Sequence, residues 1–160
     1  TVVAYNALRF PKRPVWQHVN SLNMEGLRFY NQSEPLAKLS EGFIAVIESS
    51  EDFRLPDLFC GFRRRGAEPP VPYEVACKPQ AWAAGSIFLM LKAMTGISMD
   101  PGQSHVFFNT PSLFPGVNRL EIRGLKGKDW EMDLMLKRSG GGTAVEVIRK
   151  KGSVRVLTVK

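Results

Sequence analysis

Residues 79–96 read PQAWAAGSIFLMLKAMTG, and the fold turns on them. Proline is tolerated in the first turn of a helix and glycine suits the left-handed position just past its end, so the stretch predicts a helix opening at Pro79 and stopping at Gly96. Between those signals Trp82, Ile87, Leu89, Leu91 and Met94 leave hardly any polar face. A helix that is apolar nearly all the way round has to be covered on most sides. Two partner helices hardly suffice, which predicts either the edge of a larger helical body or coverage by another subunit. Working upstream, helical spacing recurs twice, first in Val19, Leu22, Leu27 and Tyr30, then in Leu36, Leu39, Phe43, Ile44 and Ile47. Pro35, behind Ser33 and Glu34, marks the start of the second of these.

Downstream of residue 100 the period drops to two. Val106 to Phe108, Leu120 with Ile122, Met132 with Leu134 and Leu136, Val145 with Val147, and Val154 with Val156 predict about five short antiparallel strands. Gly140–Gly142 and Lys151–Gly152 supply turns between them. The expected class is α+β, with a helical segment over 1–99 followed by a small antiparallel sheet or sandwich domain over 100–160. Within the first part, 53–78 is irregular and rich in proline. It still carries Leu58, Phe59, Cys60, Phe62, Val71, Tyr73 and Val75, an apolar content that predicts an ordered, packed loop forming the wall of a site.

The chain has 160 residues, 44% hydrophobic and 23% charged, enough for one ordinary domain or two small ones with a real core. Its longest apolar stretch, Ala81 to Met94, is broken by Gly85, Ser86 and Lys92 and falls short of the roughly 20 residues a membrane span needs. No secretory pattern opens the chain, so a cytoplasmic location is expected. The first residue is Thr1, from which a processed chain or a segment of a longer one is expected. Cys60 and Cys77 have neither the number nor the spacing of a disulfide framework or zinc site, and both read as reduced, buried thiols. The net charge of +7 comes mainly from Arg63–Arg65 and from Lys126, Lys128, Lys137, Arg138, Arg149, Lys150 and Lys151. These flank turns without any nucleic-acid motif, so solvated hairpin ends are expected rather than a nucleic-acid surface.

Three places carry candidate chemistry. Trp16, His18 and Asn20 stand at the mouth of the first helix, where an indole can stack on a sugar ring while imidazole and amide bond its hydroxyls. A buried Trp with Asn or Ser capping the helix is the alternative there. Asp57, between Pro56 and the apolar run Leu58–Phe62, is a carboxylate short of solvation and so a candidate base, or else a turn former. Gln80 and Trp82 open the third helix beside the small residues Ala81, Ala83, Ala84 and Gly85, which fit either tight packing or a pocket wall.

The run Leu55-Pro56-Asp57-Leu58-Phe59-Cys60-Gly61-Phe62, and then Pro70-Val71-Pro72-Tyr73-Glu74-Val75-Ala76-Cys77-Lys78-Pro79-Gln80-Ala81-Trp82-Ala83-Ala84-Gly85-Ser86, resembles the C-terminal end of the bacterial amylo-alpha-1,6-glucosidase, or glycogen-debranching-enzyme-like, proteins. Pro14-Val15-Trp16-Gln17-His18-Val19-Asn20-Ser21 is similar to a segment which that family places one helix pair earlier. The likeness is strong over 14–97 and holds only in pattern beyond. It implies an inverting glycosidase on an (α/α)6 barrel followed by a small β domain, of which this chain is the closing arc. It also implies a general base at Asp57, a general acid upstream of this chain, and sugar contacts from Trp16, His18, Asn20, Gln80 and Trp82. An α-glucan or α-glucoside substrate is implied, with no metal and no organic cofactor. The family usually has Glu where Asp57 stands, and Pro and Asp where Gln17 and Val19 stand. Partners on this reading are the carbohydrate and the remainder of the barrel, with no nucleic acid and no membrane.

Two rival readings stand beside it. One is a non-catalytic carbohydrate-binding or interaction module built on the strands, which requires aromatic side chains lined up on an open sheet face. Trp130 is the only tryptophan there, with Phe107, Phe108 and Phe114 near the junction. The other is an autonomous small protein whose apolar third helix makes a homo-oligomer.

Overall fold

The computed structural model describes residues 14–50, 52–62, 68–100 and 102–159. In chain order the described elements are β1 (Val15–Trp16), α1 (Gln17–Phe29), α2 (Ser33–Glu48), β2 (Leu58–Phe59), α3 (Ala81–Thr95), β3 (Ile97–Asp100), β4 (His105–Asn109), β5 (Arg119–Lys126), β6 (Glu131–Ser139), β7 (Gly142–Lys151) and β8 (Arg155–Val159). The chain is α+β, with three helices and three small sheets among the described residues, none of the sheets closed. No helix among the described residues is long and apolar enough to cross a membrane.

α1 and α3 lie side by side and run the same way. His18 meets Trp82 near their starts, Glu25 pairs with Lys92 midway, and Arg28 reaches the last carbonyls of α3. α2 turns back along α1, so that Leu36, Phe43 and Val46 share a core with Met24, Ala83, Met90, Ala93 and Met94. Pro35 falls within the first turn of α2, as its fixed φ allows. α3 begins at Ala81, two residues later than Pro79, and Gly96 ends it in the left-handed conformation, φ 65°, its N–H donating to the Lys92 carbonyl.

The helix faces depart from the sequence expectation. α1 buries Gln17, Ser21, Met24 and Arg28, while Val19, Leu22 and Tyr30 are exposed. The reason is Arg28. Its Nε donates to the Ala93 carbonyl (2.6 Å), one Nη to the Thr110 carbonyl (2.5 Å), and the other to the Met94 carbonyl (2.8 Å) and Ser112 Oγ (2.5 Å). Caps of this kind satisfy carbonyls that a helix end leaves open, and they fix the rotation of α1. On α3, Ala83, Ser86, Met90, Ala93, Met94 and Thr95 are buried. On its opposite face Trp82 is 65% and Phe88 74% exposed, uncovered by the described residues.

Beyond α3 the described residues form six strands, where about five were expected. β3 and β4 form a hairpin and β8 returns to lie parallel to β4, whereas β5, β6 and β7 make an antiparallel meander. Val106 and Phe108 of the first sheet pack with Met132, Leu134 and Leu136 of the second, and with Leu113, Trp130 and Val154. The two sheets thus share one core. The tight β6–β7 turn has Gly140 and Gly141 both at positive φ, 53° and 83°, as a twisted two-residue hairpin requires. Trp130, Phe108 and Phe114 are buried, so no row of aromatics is offered on an open sheet face by these residues.

Basic side chains of the sheet are largely engaged. Arg149 bridges Glu131 (2.6 Å) and Asp133 (2.8 Å) across β6 and β7, and Arg119 and Arg123 flank Glu121. Arg63–Arg65 lie outside the described residues. Cys60 and Cys77 are free thiols, but Cys77 is exposed and Cys60 only half-buried, because the loop packs unevenly. Leu55, Leu58 and Phe59 are buried in it, while Phe53, Phe62, Val71 and Val75 are exposed.

Candidate functional site

The site follows from the register of the smallest sheet. Val15 lies opposite Phe59 and Trp16 opposite Leu58 in the antiparallel β1–β2 pair. Asp57, one residue before that pair, is thereby set beside the start of α1. Its backbone N–H donates to the Cys77 carbonyl (3.2 Å), which draws the far end of the loop alongside. Lys78 pairs with Asp52 at 3.1 Å and ties the two ends of the loop together. α3 then opens with Trp82 in its first turn, as α1 opens with His18 in its own.

Trp16, His18, Val19, Asp57, Gln80 and Trp82 consequently line one concavity of about 350 Å³. The His18 ring stands edge-on between the indoles, its centroid 5.5 Å from that of Trp16 and 4.6 Å from that of Trp82, at 67° and 85°. Two atoms here are buried without a hydrogen-bond partner among the described residues, Asp57 Oδ1 and His18 Nδ1. Such groups are paired in the great majority of cases, and each orphan costs about 1–3 kcal/mol. Neither α1 nor α3 has a side-chain cap or an acidic residue in its first turn. Backbone donors and the positive ends of two helix dipoles are therefore left at this end of the pair.

An acceptor carboxylate, an imidazole, an amide and two flat apolar rings around one hollow suit a polyhydroxylated ring. Hydroxyls find donors and acceptors, and the C–H face finds an indole. Among the described residues no group of three or more His, Cys, Asp or Glu is placed to hold a metal ion. Five of the six residues singled out from the sequence meet here. Asn20 does not: it lines a separate cavity with Gln17, between α1, α2 and the loop after β2. Val19 joins the concavity, a position that the sequence marked only through its departure from the resembled family.

No family model matches the chain, and no curated protein matches it significantly.

Proposed function

We propose that the chain is the closing arc of an inverting glycosidase of the (α/α)6 type, acting on α-glucans or α-glucosides in the cytoplasm. Asp57 is the general base. The observation that carries this reading is a partly buried carboxylate with an orphaned oxygen, set in one hollow with Trp16, His18, Gln80 and Trp82. In an inverting reaction one acid protonates the glycosidic oxygen while a base deprotonates water on the opposite face of the ring, the two carboxyls standing about 6.5–9.5 Å apart. Asp57 takes the proton from that water, and the acid comes from helices upstream. The uncovered faces of α1 and α3 support the same reading, since parallel neighbours in a ring of helix pairs pack against further helices. Val19 replaces with a methyl-bearing wall what the resembled family holds as a carboxylate, which points to a narrower choice of sugar.

The test uses the protein carrying the complete barrel. Asp57→Asn is expected to lower turnover on a maltooligosaccharide by at least about 100-fold, the usual worth of a positioned base. Proton NMR of the wild-type reaction is expected to show the β-anomer released first from an α-linkage. Retained configuration, or full activity in the variant, overturns the assignment.

A further inference from the structure

Trp16 and Trp82 enter the concavity from separate elements, Trp16 just ahead of α1 and Trp82 in the first turn of α3. Two flat rings serve one sugar only while the gap and tilt between them are held, and an indole free to change rotamer does not hold itself. Trp82 in particular is 65% exposed, so little packs against it. His18 is the ring that meets both, its centroid 5.5 Å from that of Trp16 and 4.6 Å from that of Trp82, with the planes steeply inclined. Edge-to-face pairs of this kind attract beyond the area they bury. The Nδ1 of the same imidazole is buried and has no hydrogen-bond partner among the described residues, so that nitrogen presents no surface to a ligand. What His18 contributes at this point is a flat ring in a fixed place.

We propose that His18 is a positioning residue: it spaces the Trp16 and Trp82 indoles so that both reach the bound carbohydrate. The role rests on the glycosidase reading of this hollow. It acts through the indoles, not through a bond from the imidazole to a sugar hydroxyl. Stacking on the indoles is made in the bound ground state as well as in the transition state, so losing their spacing weakens binding and leaves the chemical step alone. KM then rises while kcat holds.

The experiment measures kcat and KM on a maltooligosaccharide for the protein carrying the complete barrel, as wild type, His18→Ala and His18→Phe. His18→Ala is expected to raise KM about tenfold with kcat nearly unchanged. His18→Phe returns a ring to the same place and is expected to recover most of that loss. Near-ultraviolet circular dichroism of the 160-residue chain reads the indoles directly, without any substrate. Their bands are expected to weaken in His18→Ala and to return in His18→Phe. A KM as high in His18→Phe as in His18→Ala, with the wild type turning over, overturns this role alone and assigns the imidazole to a hydroxyl. A fall in kcat at constant KM in His18→Ala, or indole bands unchanged by it, does the same. A wild-type protein that neither binds nor cleaves the oligosaccharide overturns the glycosidase reading and this role with it. Should His18→Ala fail to fold, a tenfold rise of KM in His18→Phe is enough to overturn the proposal.

Discussion

Asp57 and Arg28 occupy opposite ends of the α1–α3 pair and illustrate two fates of a charged side chain. Arg28 is 7% exposed and all four of its acceptors are neutral oxygens, so burial lowers its hold on its proton. Its worth lies in the carbonyls beneath it. Arg28→Met keeps most of the volume and takes a donor from the Ala93 and Thr110 carbonyls, while the Met94 carbonyl keeps the Ser112 N–H and hydroxyl. We expect a loss of at least about 3 kcal/mol in urea unfolding, since hydrogen bonds to a charged group contribute about 1.5–3 kcal/mol each. A loss below about 1 kcal/mol would mean that water replaces the guanidinium. Trp16, His18, Asp57, Gln80 and Trp82, which line one concavity, stand out in the sequence because each is an unusual type beside a helix start or in an apolar loop. Their convergence is not legible there, for it depends on a pair of two-residue strands too short to show a period. Arg28 was hidden for the opposite reason: a cation in a helix reads as a solvated face until a partner's carbonyls are seen beneath it.

At the scale of elements, α2, the end of α3 and most strands could be read directly, since proline, glycine and period-two alternation act locally. β3 escaped because it follows Gly96 at once and has only four residues, Ile97–Asp100. The parallel β4–β8 pair escaped because alternation says which face is buried and nothing about which strand lies beside it. Gly96 is where helix and sheet meet. Its φ is 65°, and a Cβ there would overlap the Asn109 carbonyl oxygen, whose own N–H bonds the Gly96 carbonyl at 3.0 Å. Gly96→Ala is therefore expected to cost at least about 2 kcal/mol, adding overlap to the ordinary left-handed penalty, and to lower the melting temperature measured by circular dichroism. In the meander, hydrogen bonds from Arg149 hold the Glu131 and Asp133 carboxyls below their usual range. Groups with lowered native values stabilise the fold fully above about pH 4.5, where the unfolded carboxyls are also ionised, and lose that contribution as pH falls through the native values. The stability gap between wild type and Arg149→Met, measured by urea unfolding, is expected to narrow from about pH 6 towards about pH 2. A gap independent of pH would assign Arg149 a packing role instead.

Across the whole molecule, two cores meet at Val117, which packs against both, and Arg138 donates to the Phe114 and Val117 carbonyls at that junction. The Arg28 bonds to Thr110 and Ser112 bind the same junction from the helical side. What the described residues leave open is the apolar surface of α1 and α3, where Phe29 is 77% exposed and Phe88 74%. Faces of this kind associate when nothing else covers them. The isolated chain is expected to scatter light as a species larger than a monomer, and Phe29→Ser with Phe88→Ser to shift it towards the monomer. An unchanged mass in the double variant would place the contact elsewhere. The β4–β8 pairing bears on the order of events during synthesis. β3 and β4 leave the ribosome well before Arg155–Val159 do, and until then β4 has a bare edge able to recruit a foreign strand. The sandwich is sealed by a strand made late, so a nascent chain stalled within β7 would display that edge to chaperones and proteases.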